Sequence, residues 1–453
     1  MRVLAPFAFG WQKGDAGKML AIICFLCYNS GMKNFKPVPQ IRLTPGQEDA
    51  AALIEEWFLN MNYQYFVLCG FAGTGKTFLV EYIVRKLGLV PGESAVFVAP
   101  TGKAASVLIR GGTPASTVHS LIYIREEDIE VNEDGEIISE RFLRFVKKEK
   151  LSSEIKLIVV DETSMVSDEV ISDLFSYGIK CLLCGDPAQL PPVGGTNNLL
   201  SMPAITLQEI VRQEEGSAIV RMAEEVRRGG ILEYGKYGDA AAVVSAKRIS
   251  PEMRKKLLTE ADQVIVGTNR MRAHINQEIR QYRGIPPEAL LPVDGEKLVC
   301  TLNDWSKLLD PNGDFHLVNG IIGTCYNVRE QEDGLGQLDF RADFLSDTVY
   351  DLPFDMGIFT QGKHFHDYGA KAWLLDNGKL VHEDNFEILR RFRVRREDTV
   401  CRFEFAYAVT CHKAQGSEYD FVVVFDESRF FEDGASWLYT AITRAKKKLV
   451  IIR

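Results

Sequence analysis

Residues 65–88 read YFVLCGFAGTGKTFLVEYIVRKLG, and this stretch decides the fold. The apolar run 65–70 has the composition of a buried parallel strand. Gly70 to Thr77 then match the phosphate-loop pattern GxxxxGK[ST]. Phe78, Leu79, Tyr82, Ile83 and Leu87 follow at helical spacing, and Gly88 is a suitable helix stop. A strand, a glycine-rich loop and a helix in that order are the context in which this pattern binds phosphate. Gly70, Ala72, Gly73, Thr74 and Gly75 would wrap backbone amides around a β-phosphate, helped by the positive helix N-terminus. Lys76 would bridge the β- and γ-phosphates, and the Thr77 hydroxyl would ligate Mg²⁺, making ATP and Mg²⁺ the expected cofactors. The plainer alternative is a glycine-rich turn with no ligand.

Working outward, further apolar runs at 94–100, 155–162 and 181–186 alternate with helical patterns, as in a parallel α/β sheet. The run IKLIVV ends in Asp161 and Glu162. Asp161 can hold Mg²⁺, usually through its water, and Glu162 can orient or deprotonate an attacking water. Without the phosphate loop the same pair would read as a solvated strand end or a cap. A kinase would need a positioned hydroxyl acceptor and a lid, and neither is identifiable, so hydrolysis is favoured over transfer. Runs at 263–268, 421–426 and 448–453, with the helical stretch 271–284 among them, predict a second α/β sheet beyond about residue 213. Two segments break the alternation. Asp134-Gly135 between Val131 and Ile137 is a hairpin signal, and residues 285–400 carry short β-like pieces among Gly, Pro and aromatic residues.

The 453 residues allow two to four domains at roughly 100–200 residues each. With 46% hydrophobic and 25% charged residues and no apolar run of the roughly 18 needed to span a bilayer, disordered, fibrous and membrane classes are excluded. The net charge of −9 means that any nucleic-acid affinity comes from a local groove. Nine scattered cysteines, an odd number, fit a reduced cytoplasmic protein. Cys181 and Cys184 fall on one strand with side chains on opposite faces, which argues against a zinc pair. Residues 1–31 superficially resemble a secretory signal without a clear cleavage pattern. A start placed too early, with Met32 as the true opening, is the plainer reading.

The ordered motifs GFAGTGKT, APTGKAAS (99–106), VVDETSMV (159–166), GDPAQLPPV (185–193), VTCHKAQGSEYD (409–420) and YTAITRAKK (439–447) resemble those of superfamily 1 DNA helicases. The wording is similar to the RecD-like branch, and the compact length resembles its Dda-type members from T-even phages. That resemblance implies two RecA-like parallel-sheet motor domains, a β-hairpin insertion in the first and a small SH3-like β insertion in the second. The implied boundaries are 32–122 and 146–212 for domain 1A, 123–145 for the hairpin pin, 213–284 and 399–453 for domain 2A, and 285–398 for the insertion. It also implies ATP-dependent movement from 5′ to 3′ on single-stranded DNA, with unwinding of forked duplex, in replication, recombination or repair. The chain is expected to act as a monomer, with single-strand-binding and replication or recombination proteins as further partners.

By the same resemblance Gln47 would read the adenine edge, or else be an exposed helix-start residue. Gln189 would sense the γ-phosphate, Arg212 and Arg444 would be arginine fingers from the second domain, and Gly416 and Glu418 would complete the nucleotide site. Pro100, Thr101, Lys103, Thr117 and His119 would contact the DNA strand from the first sheet, and Thr410, His412, Lys413 and Ser417 from the second. Small hydroxyls, amides and a few cations suit sequence-independent tracking of phosphates. The histidine that Dda-type proteins carry after the second strand is replaced by Gly102. The hairpin would be the duplex-splitting pin, although the stretch 123–136 carries seven acids against Arg125 alone, which equally fits a plain solvated hairpin. Arg390, Arg391, Arg393, Arg395 and Arg396 form a basic run that either touches DNA or is a solvated face. Three rival functions remain at this point: a translocase that strips proteins with little unwinding, an RNA-directed motor, and a nucleotide-gated recombination scaffold.

Overall fold

A computed structural model describes residues 43–60, 62–131, 137–191, 199–210, 217–310, 315–331, 335–360, 373–376, 379–382 and 400–453. Residues 1–31, the Asp134-Gly135 turn, Arg212 and the basic run from Arg390 to Arg396 lie outside the described residues.

The first sheet has six strands in the order Ala115–Thr117, Ala95–Ala99, Leu157–Val160, Lys180–Gly185, Tyr65–Gly70 and Ile205–Leu207. All of its pairings are parallel. Both faces are covered, so the central strands are apolar throughout and Leu157 to Val160 are all buried. The helix Lys76–Lys86 packs through Leu79, Val80, Ile83 and Val84, while Phe78, expected on that face, points outward. Gly88 ends it with φ 70°, and Leu89 N–H returns to the Val84 carbonyl at 3.0 Å.

The second sheet runs Ala408–Thr410, Gln263–Val266, Tyr419–Phe425, Ala445–Ile452, Ala241–Val244 and Gly235–Tyr237. Its first five strands are parallel, but the edge strand Gly235–Tyr237 is antiparallel, a departure from the purely parallel expectation. A third sheet of five antiparallel strands, Lys297–Cys300, Ile322–Glu330, Leu335–Ala342, Val349–Asp355 and Phe403–Phe405, is the β insertion. Because Phe403–Phe405 pairs with Leu298 to Cys300, this sheet extends past the expected limit at 398. Arg280, on the helix Asn269–Tyr282, binds Glu296 through Nε at 2.8 Å and Nη2 at 3.1 Å, tying the insertion to the second sheet.

The hairpin Tyr123–Val131 with Ile137–Lys147 is antiparallel and slips register twice. Its base is fastened to the first domain: Tyr123 Oη donates to Asp173 at 2.6 Å, and Lys148 Nζ donates to the Ser120 carbonyl at 2.8 Å. No helix among the described residues is long and apolar enough to cross a membrane.

Candidate functional site

The phosphate loop leaves the strand Tyr65–Gly70 and turns through Gly73 and Gly75, at φ 81° and 75°, values that only glycine adopts without strain. Lys76 Nζ donates to the Gly70 and Phe71 carbonyls at 2.6 and 3.2 Å, so the lysine itself fills the loop. Thr77 Oγ1 lies 3.3 Å from Asp161 Oδ2. A hydroxyl and a carboxylate this close are the donor set that Mg²⁺ accepts, and the pair fits that ion.

Glu162 follows at φ 51° and ψ 41°, a left-handed conformation unusual for a non-glycine residue. Burial, and then the neighbouring Asp161 carboxylate, raise the Glu162 pKa. Burial likewise raises that of Asp161, against the opposing pull of Lys76. A buried carboxyl whose pKa is raised accepts a proton readily, which suits a general base.

These groups line a cavity of about 460 Å³ shared by both domains. Gly73, Gly75, Lys76, Thr77, Asp161, Glu162 and Gln189 come from the first sheet, and Gly416, Glu418, Thr443 and Arg444 from the second. Gln189 Oε1 is buried without a hydrogen-bond partner. Arg444 is held within its own domain: Nε donates to the Thr440 carbonyl at 3.0 Å, Nη1 to the Ser417 carbonyl at 3.2 Å and Nη2 to Thr443 Oγ1 at 3.0 Å. Three of the five guanidinium N–H groups are thereby used, and two are left for a ligand.

Gln47 is not the exposed helix-start residue of the plainer expectation. It is 1% exposed, completes a capping box with Thr44 and donates from Nε2 to the Thr74 carbonyl at 3.1 Å. Its amide therefore braces the phosphate loop. Beside that loop, a small apolar cavity of about 50 Å³ is lined by Phe71, Ile219, Ala223, Arg227 and Tyr439. The Arg227 guanidinium lies 3.8 Å from the Phe71 ring centroid. Sequence reading overlooked both residues, because Phe71 falls at an unspecified position of the loop pattern and Arg227 in an unremarkable amphipathic helix.

The residues expected to meet DNA from loops lie instead mostly at strand ends and in the short helices or first helical turns that follow them, in both sheets' domains. Pro100 follows the strand Ala95–Ala99, and Thr101 caps the helix Gly102–Arg110, accepting from Ala104 N–H at 3.2 Å. Thr117 caps the short helix Val118–Ile122. His119 sits 5.3 Å from the Tyr123 ring and 6.1 Å from Phe145, at the foot of the hairpin. In the second domain His412 lies 6.5 Å from Phe431, and Lys413 pairs with Glu404 at 3.4 Å. Thr410 precedes them at the N-cap. Ser417 is buried, with its carbonyl on Arg444, nearer the nucleotide cavity than the other DNA candidates. Lys103 reaches across the domains to donate to Tyr419 Oη at 3.3 Å, and burial lowers its pKa to about 8.

The first-domain loops face the β insertion across a cavity of about 240 Å³, lined by Gly102, Ala105, Ser116, Thr117, His316 and Val318 among others. A Cβ on Gly102 would overlap Val318 Cγ2, so the lack of a side chain at this position lets the insertion settle on the first domain.

Residues 42–248 match the AAA domain family, and residues 405–452 match the UvrD-like helicase C-terminal domain. The chain is 31% identical to the ATP-dependent DNA helicase Pif1 of Bdellovibrio bacteriovorus, over 95% of this chain and 92% of that protein. It is 26% identical to the ATP-dependent RecD2 DNA helicase of Deinococcus radiodurans, over 88% of this chain and 48% of that one. The chain spans between 36% and 48% of the length of four curated relatives, RecD2 among them. A crystal structure of Bacteroides Pif1 bound to ssDNA shares the fold, with a TM-score of 0.50 at 19% identity, covering 91% of this chain and 92% of that one.

Proposed function

Because the chain belongs to the Pif1 family of ATP-dependent DNA helicases, we propose that it hydrolyses ATP to translocate 5′ to 3′ on single-stranded DNA and to unwind forked duplex. The observation that carries this reading is the shared cavity: a nucleotide held by the first sheet would be touched by Arg444, Gly416 and Glu418 of the second. Hydrolysis would then change how the two sheets sit.

In this mechanism Lys76 leaves the loop carbonyls for the β- and γ-phosphates, since a charged acceptor outcompetes a neutral one. Thr77 and Asp161 would hold Mg²⁺, which neutralises charge on the transferring phosphoryl group. Glu162, with its raised pKa, takes a proton from the attacking water. Gln189, whose amide oxygen is free, orients that water or the γ-phosphate. Arg444 would turn its two unused N–H groups toward the equatorial oxygens, and Arg212 is assigned the same task by resemblance. Closure around ATP and reopening after hydrolysis form a two-state cycle biased by the γ-phosphate. Loops with Pro100, Thr101, Lys103, Thr117 and His119 would grip the strand from one sheet, and Thr410, His412, Lys413 and Ser417 from the other, so each cycle advances one grip past the other.

The proposed domain limits are those read from the sequence, except that the SH3-like insertion is lengthened to residue 405 and domain 2A resumes at 406, with the hairpin as the wedge. Steady-state ATP hydrolysis with and without single-stranded DNA is the test, followed by unwinding of 5′-tailed against 3′-tailed duplexes. Strong stimulation by DNA and a 5′-tail requirement are expected. Hydrolysis indifferent to DNA would sink the motor reading.

A further inference from the structure

Tyr439 occupies a position that none of the expected chemistry uses. It lies on the helix Gly434–Ile442 of the second sheet's domain and is 2% exposed. Its hydroxyl crosses to the first domain, donating to Asp186 Oδ2 at 2.7 Å and accepting from the Ala72 N–H of the phosphate loop at 3.1 Å. Asp186 is fully buried, and its other oxygen accepts from Ala188 N–H at 3.0 Å, which shapes the loop that presents Gln189. The next residue, Leu190, is held at both backbone groups by the second domain. Its N–H donates to Thr440 Oγ1 at 3.0 Å, and its carbonyl accepts from Gln415 Nε2 at 3.1 Å. Thr440 in turn supplies the carbonyl that holds Arg444 Nε at 3.0 Å.

The end of this helix and the two residues after it therefore carry, within six residues, a phenol on the phosphate loop, a hydroxyl on the sensor loop and the guanidinium of the proposed finger. Hydrophobic packing alone would have left a phenylalanine at 439. A buried phenol between an amide donor and a carboxylate acceptor is instead a directional bond between domains, with each group satisfied only while the other is in place. We propose that Tyr439 is a positioning residue: its hydroxyl, held between Ala72 N–H and Asp186, sets the distance from Arg444 to the γ-phosphate and couples the phosphate loop to the sensor loop. This rests on the motor reading above.

A group that places an arginine finger acts in the transition state and little in the ground state, so its loss lowers kcat and leaves KM. Tyr439→Phe keeps the ring and its packing and deletes only the hydroxyl. We expect DNA-stimulated kcat to fall about tenfold with the KM for ATP changed less than about twofold. In a double-mutant cycle with Arg444→Lys the effects should be strongly non-additive, because both act on one contact. Amide exchange of segment 70–76 in the nucleotide-free chain should speed up in Tyr439→Phe, and Asp186→Asn should reproduce the kinetic split. An unchanged kcat with only a lowered Tm, or fully additive effects with Arg444→Lys, would overturn the assignment. A wild-type chain without ATPase activity would defeat the motor reading itself, and unchanged exchange at 70–76 would separately defeat the bond.

Discussion

At the residue scale the most informative group is Lys103. Burial lowers its pKa to about 8, and its nearest polar partner is the neutral hydroxyl of Tyr419. Folding therefore costs most while the ammonium is protonated; the folded pKa lies below the ordinary 10.5, so stability rises as pH climbs from about 8 toward 10.5. A DNA phosphate reverses the preference by favouring the charged form. Single-strand affinity should thus fall above pH 8, with about one proton taken up on binding, and calorimetry in buffers of different ionisation enthalpy would measure it. Lys103→Arg should flatten the profile. Lys76→Ala should reduce hydrolysis to background while leaving part of the DNA affinity, because the lysine's present contacts are loop carbonyls and no DNA candidate. Full turnover in that variant would refute the nucleotide site.

At the element scale, what the sequence revealed depended on length and burial. The strands 65–70, 95–99, 157–160, 180–185, 263–266 and 419–425 are nearly continuous apolar runs because both faces of each sheet are covered, and each is legible, as is the apolar second half of 445–452, whose first half carries three exposed lysines. The strands AST at 115–117, ITL at 205–207 and GKY at 235–237 are three residues long, carry no run, and exist because a longer neighbour offers an edge. Site residues were legible where a motif fixes them, as for Lys76, Thr77, Asp161 and Glu162. Tyr439, Arg227 and the buried bracing by Gln47 were not, since their roles depend on what packs opposite. Gly102 shows the same limit, because only the structure reveals Val318 above it. Gly102→Ala should force the insertion off the first domain and lower stability by about 1–3 kcal/mol, as overpacking does. Val318→Ala should restore much of that loss, and thermal melts of both variants and their combination would decide it.

At the scale of the whole molecule the question is how a chain of net charge −9 holds a polyanion. The described DNA candidates contribute two lysines, Lys103 and Lys413, and the second is already paired with Glu404. Binding of single strands releases about 0.7 counterion per neutralised phosphate, so two lysines give a slope of log K against log salt of about −1.4. Hydroxyls and backbone amides add affinity without steepening that slope, because they release no counterion. The arginines at 390, 391, 393, 395 and 396 would change this arithmetic. If all five met phosphates as well, seven contacts would bring the slope to about −5. Fluorescence anisotropy of a labelled oligonucleotide across a salt series therefore separates two architectures. A shallow slope assigns the grip to the motif loops between the two sheets. A steep one, made shallow again by replacing the five arginines with glutamine, assigns much of it to the segment inside the β insertion, and the strand path would then run through that insertion.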